Sequence, residues 1–573
     1  MIVSSIETYI NQIFTNTRQL FILFLIANIL PNFALVCTEP INIFGKLCSI
    51  IFTTGFHMII LSIPNNAATF ILFSPIYIFF HGMQLVLLYV FGEAAIAVDM
   101  FLNLATTNAS EAGELLDNIW PIISIVLIIY VPTILIALFT WKNKYNTPAT
   151  MKKNVKKIGF GLIILSFIIS YFAYNTNTRN FSYHEEVYPI NIFYNLGFAI
   201  NKYYKSKKYP IHSKDFKFNT MKSANATNRE IYVLVVGEAS RADNWQLYGY
   251  DRKTNPQLSQ NQGIIKFDDV LTQSITTHKS VPLILTSASA EDYSVIYSHK
   301  SIITAFKEAG FKTAFYSNQI PDGSFLDFYA SEADSHENIR HSEVGGYITI
   351  NNFDEFMLPL LQSFINTAAG NLFIVLHTYG SHFNYRERYP SNFSLFMPDD
   401  ACKIRNENRQ MLLNAYDNTV AYTDDFLSKV ISILDRTKAT TALFYSSDHG
   451  EDLLDDNRKR FLHSSPSPTY YQLKIPLFMW FSEKYKDAFP SKVKNAANNH
   501  GVPITTNTVF HTVLDMASLN TTDFDPRLSL VNSELRKQHR MFLNDHDQPV
   551  FFYNSGIKYQ DKEMIEKMNI DCY

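Results

Sequence analysis

The chain has few cysteines, little net charge and no repetition, and each shortage excludes a class of protein. Its four cysteines include no CxxC pair, so a zinc site built from cysteine is not expected. The formal net charge of −3 argues against a nucleic-acid partner. No internal repeat or low-complexity segment occurs. With 573 residues the chain is too long for one compact core, and two or more domains are predicted.

Charged residues are absent from five apolar segments in the first third of the chain. These segments cover approximately residues 19–37, 47–63, 67–91, 120–140 and 158–174. Each approaches the roughly 20 residues that cross a bilayer, which predicts a five-helix transmembrane domain over residues 1–175. The second and third segments could form one hairpin broken at Pro64. The first lacks a basic leader and a small-residue cleavage site, so we expect it to remain as an anchor.

The loop charges predict how these segments are oriented. Residues 141–157 carry six lysines, which is typical of a cytoplasmic loop. The loop between the third and fourth segments carries acidic residues and no lysine or arginine, so it should face outward. The N-terminus is then cytoplasmic, and everything after Tyr174 lies outside, which in a bacterium would mean the periplasm or the cell exterior. Cys37 and Cys48 would both lie near the outer face, where a disulfide and two free thiols are equally open alternatives.

A polar segment, residues 176–229, bridges the membrane domain and the rest of the chain. Apolar side chains recur in it at helical spacing, at Ile192, Phe193, Leu196, Ile200 and Tyr203. Four lysines lie within or just after this stretch, at Lys202, Lys205, Lys207 and Lys208. The pattern predicts an amphipathic helix at the membrane surface, and an ordinary packed helix is the alternative.

Apolar runs alternate with amphipathic stretches over residues 230–573. Strands are predicted at 231–236, 312–316, 372–376, 441–445 and 475–480, and helices at 301–309, 409–434 and 506–516. This alternation is typical of an α/β domain with a largely parallel sheet. The apolar stripe of the long helix, which includes Leu412, Tyr416 and Val420, is predicted to be core.

Potential metal ligands follow several of these strands. Glu238 comes directly after the first strand, Asp448 and His449 after the fourth, and His382 lies in the loop after the third. Ligand sites in open α/β sheets lie beyond the carboxyl ends of strands, and this mixture of oxygen and imidazole donors suits Zn²⁺. Taken alone, an Asp-His pair is more often a capped turn, and His463 a surface histidine. Asp545-His546-Asp547 follows no strand and is predicted to be a solvated loop.

Five membrane segments followed by GEASRADNWQLYGY, TTHKSVP, HTYGSH and SSDHGE resemble the bacterial phosphoethanolamine transferases. These are membrane members of the alkaline phosphatase/sulfatase superfamily. The resemblance implies that Glu238, Thr277, Asp448 and His449 hold the metal, one or two Zn²⁺ ions, and that Thr277 is the nucleophile. His382 and His463 become further catalytic residues. Ser240 is then not the nucleophile but a helix cap, with Arg241 and Asp243 as its scaffold.

The resemblance also implies substrate contacts in two regions. Asn103, Thr107 and Glu111 match the residues that bind the ethanolamine head group, and their i, i+4, i+8 spacing places them on one helix face. Ser324 matches a serine of the substrate loop. Gln273 and Leu283 stand where the lipid A enzymes have a disulfide that flanks the nucleophile, and Phe325 stands where they have a lysine.

The implied reaction is transfer of phosphoethanolamine from phosphatidylethanolamine to lipopolysaccharide through a threonine-bound intermediate, with release of diacylglycerol. The implied acceptor is either core heptose or lipid A. Heptose is favoured because the segments LYGYDRKTNPQL and YSNQ look closer to the enzymes that modify the lipopolysaccharide core. We expect a monomer in the inner membrane. The alternatives are a phosphoglycerol transferase, another sulfatase-like membrane enzyme, and a non-catalytic membrane-anchored binding or sensor protein. A sulfatase would need a C/S-x-P-x-R motif, which does not accompany Thr277.

Overall fold

The computed structural model describes residues 16–572 except 39–40, 93–95, 107–108, 175–180, 225, 227, 344–347, 350–351, 401–403 and 466. The chain divides into two compact units, Met1–Leu102 with Leu115–Ile200 and Asn103–Glu114 with Asn201–Tyr573. The last boundary between the two units, from Ile200 to Asn201, falls within helix Ile190–Lys207 and between the predicted boundaries at residues 175 and 229.

The first part of the chain is helical. Its helices are Thr17–Thr38, Ile43–Leu61, Ala68–Phe73, Pro75–Phe91, Val98–Thr106, Ala109–Lys142, Ala149–Tyr174, Tyr183–Glu186 and Ile190–Lys207. Among the described residues, four stretches are long and apolar enough to cross a membrane: Thr17–Thr38, Ile43–Leu61, Asn118–Lys142 and Ala149–Tyr174. The third predicted segment is interrupted at Ser74, because the residue before a proline avoids helical backbone angles. Pro75–Phe91 is therefore a shorter apolar helix.

Two of these helices approach closely through glycines. A Cβ atom on Gly55 would lie 2.7 Å from the Gly159 carbonyl oxygen, and one on Gly159 would lie 2.8 Å from that of Gly55. The absent side chains let helices Ile43–Leu61 and Ala149–Tyr174 touch backbone to backbone, as small residues do in membrane helix pairs. Cys48 lies in this contact and its thiol donates to the Ser166 carbonyl at 3.3 Å.

The cysteines of the described residues are free thiols. Cys37 is exposed, whereas Cys48 and Cys572 are buried. Of the two alternatives for Cys37 and Cys48, the structure therefore has the unpaired one. Cys402 lies outside the described residues.

The predicted amphipathic helix is Ile190–Lys207. Its apolar side chains divide between two environments, since Ile192 is fully buried whereas Phe193 and Ile200 are exposed. Lys202 is also buried, at 8% exposure, and forms an ion pair described below. Placement at a membrane surface remains a prediction.

A seven-stranded sheet forms the centre of the second unit. Its strands are β1 Glu230–Gly237, β2 Ile264–Lys266, β3 Lys312–Ser317, β4 Ser335–Asn338, β5 Leu372–His377, β6 Thr440–Ser447 and β7 Leu477–Phe481. The order across the sheet is β2-β7-β6-β1-β5-β3-β4. The five strands β6, β1, β5, β3 and β4 are parallel to one another, and β7 pairs antiparallel with β6 and β2. The prediction of a largely parallel sheet is confirmed.

Shorter elements surround this sheet. The α-helices that the structure describes in this unit after residue 208 are Tyr209–His212, Pro256–Gln260, Thr277–Leu285, Ile302–Glu308, Phe325–Ala330, Met357–Thr367, Arg409–Arg436, Tyr470–Leu473, Glu483–Ala488, Pro490–Asn499, Thr508–Met516 and Tyr559–Lys567. Small strand pairs join Met221–Lys222 to Leu519–Asn520, Val270–Leu271 to Ile504–Thr505, Ser342–Glu343 to Ile348–Thr349, Asp452–Leu453 to Phe461–Leu462, and Met541–Leu543 to Pro549–Phe551.

The central strand β1 is apolar throughout because both of its faces are covered. Tyr232, Leu234 and Val236 point into one hydrophobic cluster, and Ile231, Val233 and Val235 point into another. Such burial on both faces is characteristic of parallel sheets. The stripe of helix Arg409–Arg436 belongs to the second cluster, so its prediction as core is confirmed.

Candidate metal centre

Three neighbouring parallel strands end at the same edge of the sheet. In register, Gly237 of β1 lies opposite Ser447 of β6, and Val236 lies opposite His377 of β5. The loops after these strands therefore begin side by side. Glu238, Asp448 and His449 come first in two of these loops, and all three are at most 1% exposed.

The structure brings the sequence-predicted ligands together in two overlapping sets. Glu238, Asp448 and His449 form one, and Glu238, His382 and His463 form the other. Within each set, one donor atom per residue lies within 4.8 Å of the others. His463 is thus part of the centre and not an isolated surface histidine.

Backbone geometry at two residues makes this convergence possible. Gly380 has φ +45°, and a Cβ atom there would lie 2.8 Å from the Glu238 carbonyl oxygen. Glycine therefore lets the loop that carries His382 pass against Glu238. Ala239, with φ +53°, turns its amide toward Asp448 and donates to Oδ1 at 3.1 Å. That hydrogen bond orients the Asp448 carboxylate.

Thr277 lies at the N-terminus of helix Thr277–Leu285 and faces the ligands. Its Oγ1 is 3.3 Å from Glu238 Oε2 and 3.4 Å from His449 Nε2. The partial positive charge of a helix N-terminus favours an anion at this position, which stabilises a threonine alkoxide. One turn later, Ser280 Oγ donates to Asp448 Oδ2 at 3.3 Å and fixes the helix to the centre.

The histidines are oriented to present Nε2. Nδ1 of His449 lies 2.9 Å from the Gly450 carbonyl oxygen, and Nδ1 of His382 lies 2.6 Å from that of Phe383. Because a carbonyl oxygen only accepts, Nδ1 carries the proton and Nε2 keeps its lone pair. Nδ1 of His463 lies 3.0 Å from Glu451 Oε2, a carboxylate contact of the kind that orients metal-binding histidines.

Burial also keeps these imidazoles neutral. It lowers the pKa of His463 to about 4 and shifts the pKa values of His382 and His449 in the same direction. For His382 the positive charges of Arg388 and Arg340 add to this effect. A neutral imidazole is the form that binds a metal ion. Two carboxylates and three such nitrogens match the donors that Zn²⁺ prefers.

Some residues of the site were not predicted from the sequence. Gln319 Nε2 donates to Glu238 Oε2 at 3.4 Å and to the Thr378 carbonyl at 3.1 Å. Gln319 follows β3, which neighbours β5. The rule that ligand sites lie beyond the carboxyl ends of parallel strands would therefore have predicted it. Glu451 belongs to the SSDHGE motif, and burial raises its pKa to about 8.

The loop after Glu238 differs from its prediction. Ser240 Oγ accepts a hydrogen bond from Trp245 Nε1 at 2.8 Å, and the chain continues into short 3-10 turns. The prediction of Ser240 as a helix cap is therefore wrong. Arg241 and Asp243 do form a buried scaffold: Arg241 pairs with Asp455 at 2.9 Å, and Asp243 accepts from the Tyr470 hydroxyl at 3.0 Å.

The segment Asp545-His546-Asp547 is not a solvated loop, which corrects another prediction. Asp547 Oδ1 lies 2.8 Å from Lys202 Nζ and 3.2 Å from Lys279 Nζ. Lys279 is 2% exposed and also donates to the carbonyls of Asn544 and Asp545. The segment is therefore bound to the helix that begins with Thr277.

The predicted substrate residues have different outcomes. Ser324 is the N-cap of helix Phe325–Ala330, and its Oγ accepts from the Leu326 amide at 3.4 Å. Asn103 and Glu111 lie in helices Val98–Thr106 and Ala109–Lys142, but their side chains and the whole of Thr107 are outside the described residues. All four substrate assignments remain predictions.

Comparison with known proteins places this site in a family context. The sulfatase family model matches residues 230–519. Phosphoethanolamine transferase EptA of Escherichia coli K12 is 32% identical over 275 residues, which cover 46% of this chain and 49% of EptA. The chain therefore spans about half the length of the curated relatives it matches.

Solved structures share the fold. The integral membrane lipooligosaccharide phosphoethanolamine transferase A of Neisseria meningitidis has a TM-score of 0.68 at 21% identity, over 89% of this chain and 97% of its own. The C-terminal periplasmic domain of Escherichia coli EptC in complex with Zn has a TM-score of 0.53 at 24% identity, over 60% of this chain and 97% of that one. The predicted fold class, apolar N-terminal helices followed by a sulfatase-like α/β domain, is confirmed.

Proposed function

This chain belongs to the sulfatase family, and from that premise we propose that it transfers phosphoethanolamine from phosphatidylethanolamine to lipopolysaccharide. One observation carries the proposal: Thr277 Oγ1 lies at a helix N-terminus, between the Glu238 carboxylate and the His449 imidazole. A relative at 32% identity that is named a phosphoethanolamine transferase supports the choice of group transferred.

Zinc is the metal that the donor atoms favour. Glu238, Thr277, Asp448 and His449 would hold one ion, and His382 and His463 with Glu238 form the set for a second. The zinc complex of the structurally similar EptC domain supports this choice. Bound Zn²⁺ would lower the pKa of the Thr277 hydroxyl and neutralise charge on the phosphoryl group.

Thr277 performs the transfer in two displacements. In the first, Thr277 gives up its hydroxyl proton and Oγ1 forms a bond to phosphorus, while the bond from phosphorus to the diacylglycerol oxygen breaks and that oxygen takes up the proton. In the second, an acceptor oxygen attacks the same phosphorus and Thr277 Oγ1 leaves. With a single ion bound, the neutral Nε2 atoms of His382 and His463 are free to pass the proton of the acceptor hydroxyl to Thr277 Oγ1, since Nδ1 of each is already engaged.

The remaining assignments concern the substrates and the membrane. We assign Glu111 to the ammonium of the head group, with Asn103 and Thr107 beside it, and Ser324 to the substrate loop. The enzyme would be a multi-pass inner-membrane monomer with a periplasmic catalytic domain and a cytoplasmic N-terminus. Core heptose remains the favoured acceptor over lipid A.

Mass spectrometry of lipopolysaccharide tests this function. The chain is expressed in an envelope of known lipopolysaccharide composition, and the fragments are analysed for added phosphoethanolamine. We expect addition on the core, and none when Thr277→Ala replaces the wild-type chain. A gain that survives in Thr277→Ala contradicts the mechanism, and addition on lipid A alone contradicts the preferred acceptor.

A further inference from the structure

A cleft lined by lysines lies in the second unit, formed by residues that the proposed reaction does not use. Its volume is about 770 Å³, and its lining includes Lys214, Lys217, Lys300 and Lys307 and the side chains of Thr304 and Ser331. We call it the lysine cleft. One wall is the segment that follows helices Ile190–Lys207 and Tyr209–His212, and the other includes helix Ile302–Glu308.

The two acidic residues of the cleft hold its walls together. Glu308 accepts hydrogen bonds from the amides of Phe218 and Thr220, each at 3.0 Å. Glu332 accepts from Ser301 Oγ at 2.6 Å and Thr304 Oγ1 at 2.8 Å. Burial raises the pKa of Glu332. Both carboxylates are thus held by donors other than the lysines, and the four lysines of the lining outnumber them two to one.

Three of the four lysines have no ion-pair partner among the described residues. Lys307 pairs with Asp334 at 3.0 Å. In the part of the chain that the structure describes, Lys214, Lys217 and Lys300 have no ion-pair or side-chain hydrogen-bond partner. Three ammonium groups around one concave surface repel each other and create a positive potential inside it. An anionic ligand would relieve that repulsion.

We infer that the lysine cleft binds a phosphorylated saccharide, and this inference rests on the proposed function, in which that saccharide is the phosphate-bearing part of lipopolysaccharide. Lysine ammonium groups bind phosphate as point charges. A cleft of about 770 Å³ has the size of sites that enclose small organic ligands, which is more than one phosphate ion needs. The hydroxyls of Thr304 and Ser331 match the hydroxyl-rich surface of a sugar.

A chain of contacts links the cleft to the predicted substrate loop. Glu332 accepts a hydrogen bond from the Tyr209 hydroxyl at 2.8 Å. The Tyr209 ring packs edge-on against Phe325, with ring centroids 5.5 Å apart, and Ser324 caps the helix that contains Phe325. Helix Phe325–Ala330 leads from Ser324 in the substrate loop to Ser331 and Glu332 in the cleft. The lysine cleft would therefore hold the acceptor at the far end of that helix from the loop and contribute affinity for it, without taking part in the chemistry.

Direct binding tests the inference independently of catalysis. The full chain carrying Thr277→Ala is purified in detergent, and the probe is the phosphorylated oligosaccharide obtained by deacylating lipopolysaccharide. The test variant adds Lys214→Gln, Lys217→Gln and Lys300→Gln. The matched control adds Lys253→Gln, Lys484→Gln and Lys494→Gln, which are exposed lysines outside the cleft. We expect about tenfold weaker binding in the test variant, because exposed charge contacts are each worth about two- to threefold, and unchanged binding in the control.

Other probes identify the ligand class. Phosphatase treatment of the oligosaccharide should weaken binding to the parent chain and abolish the difference between the variants. The inference is overturned if the test variant and the control bind the oligosaccharide equally well. It is also overturned if the three substitutions weaken binding of the dephosphorylated oligosaccharide as much as binding of the phosphorylated one. It is also overturned if inorganic phosphate competes as well as the oligosaccharide, or if the test variant loses binding only to phosphatidylglycerol vesicles.

A transfer assay separates this inference from the proposed function. With Thr277 intact, the three substitutions should raise KM for lipopolysaccharide about tenfold and leave acceptor-independent release of diacylglycerol unchanged. A parent chain that releases no diacylglycerol and transfers nothing refutes the proposed function, while the binding result still decides whether the cleft recognises the saccharide. An unchanged KM in an active enzyme refutes the cleft as the acceptor site.

Discussion

Lys279 and Asp547 form an ion pair of 3.2 Å two residues beyond the proposed nucleophile, and Asp547 shares its carboxylate with Lys202 at 2.8 Å. The lysine side chains are only 2% and 9% exposed. One carboxylate therefore connects the helix of Thr277 to the C-terminal turns of helix Ile190–Lys207. Both helix segments belong to the second unit.

Asp547→Asn should destabilise the second unit by about 3 kcal/mol, because it removes the carboxylate charge that two buried ammonium groups share. The melting temperature of the full chain in detergent, followed by tryptophan fluorescence, measures the effect. The control is Glu483→Gln, which removes an exposed pair with Lys486 and should cost less than about 1 kcal/mol. Similar melting temperatures for the two variants would contradict the structural role of Asp547.

Thr277→Ser should retain diacylglycerol release. Thr277→Ala should lower the rate of release at least about a thousandfold, because loss of the nucleophile removes the covalent route. Serine keeps a hydroxyl beside Glu238 and His449. Release is measured from labelled phosphatidylethanolamine, with zinc content determined on the same samples. Equal activity of the serine and alanine variants would exclude Thr277 as the nucleophile.

Glu238→Gln should abolish stoichiometric zinc binding, because Glu238 belongs to both ligand sets. Gln319→Ala removes only a hydrogen-bond donor to Glu238 and should lower zinc affinity about tenfold. Competition with a chromogenic chelator measures both affinities. Chelator treatment of the wild-type chain should stop diacylglycerol release, and added zinc should restore it. Retention of full zinc affinity by Glu238→Gln would refute the assigned site.

Gly380→Ala should impair zinc binding as well as stability. Its Cβ would meet the Glu238 backbone at 2.8 Å, so either Glu238 or the loop of His382 must move. Gly370→Ala is the matched control, since Gly370 also has positive φ but has open space around it. Both variants should lose about 1–2 kcal/mol from backbone strain, and only Gly380→Ala should lose zinc affinity. If neither variant loses zinc affinity, the close approach of Gly380 to Glu238 is not required for the site.

Asp424→Asn should stabilise the protein at pH 7.5. Burial is the main reason that the pKa of Asp424 rises from 3.8 to about 6, although it accepts from the amides of Gln257 and Leu258. A folded-state pKa above the unfolded value means that stability is lost as pH rises from about 4 to 6. The asparagine variant removes the buried charge and keeps one of the two acceptor oxygens, because Gln257 donates to Oδ2 and Leu258 to Oδ1. The lost hydrogen bond costs about 1 kcal/mol, which is less than the rise in pKa corresponds to. The variant's advantage in melting temperature should therefore disappear near pH 4, and an advantage that does not change with pH would contradict this account.

Local features of the sequence were sufficient for most of the sheet and for part of the metal centre. The predicted strand at residues 231–236 became Glu230–Gly237, because an unbroken β-branched run suits a strand covered on both faces. Glu238, Asp448 and His449 could be predicted because a polar residue directly after a parallel strand has its position determined by the strand. The role of Thr277 came from a motif resemblance, since no local pattern distinguishes it from Thr276.

Tertiary packing decided the rest. His463 lies between Leu462 and Ser464, which both have positive φ, and no periodicity predicts where such a backbone directs a side chain. The sequence favoured Ser240 as a cap, but the buried Trp245 indole requires an acceptor and uses its hydroxyl. Asp547 follows no strand, and its partner Lys202 is 345 positions away. By itself the sequence determined which strands form and which ligands directly follow them, because these depend on neighbouring residues. Only the tertiary structure decided the partners of Ser240, His463 and Asp547, because buried polar groups take their partners from whatever distant segments the packing brings beside them.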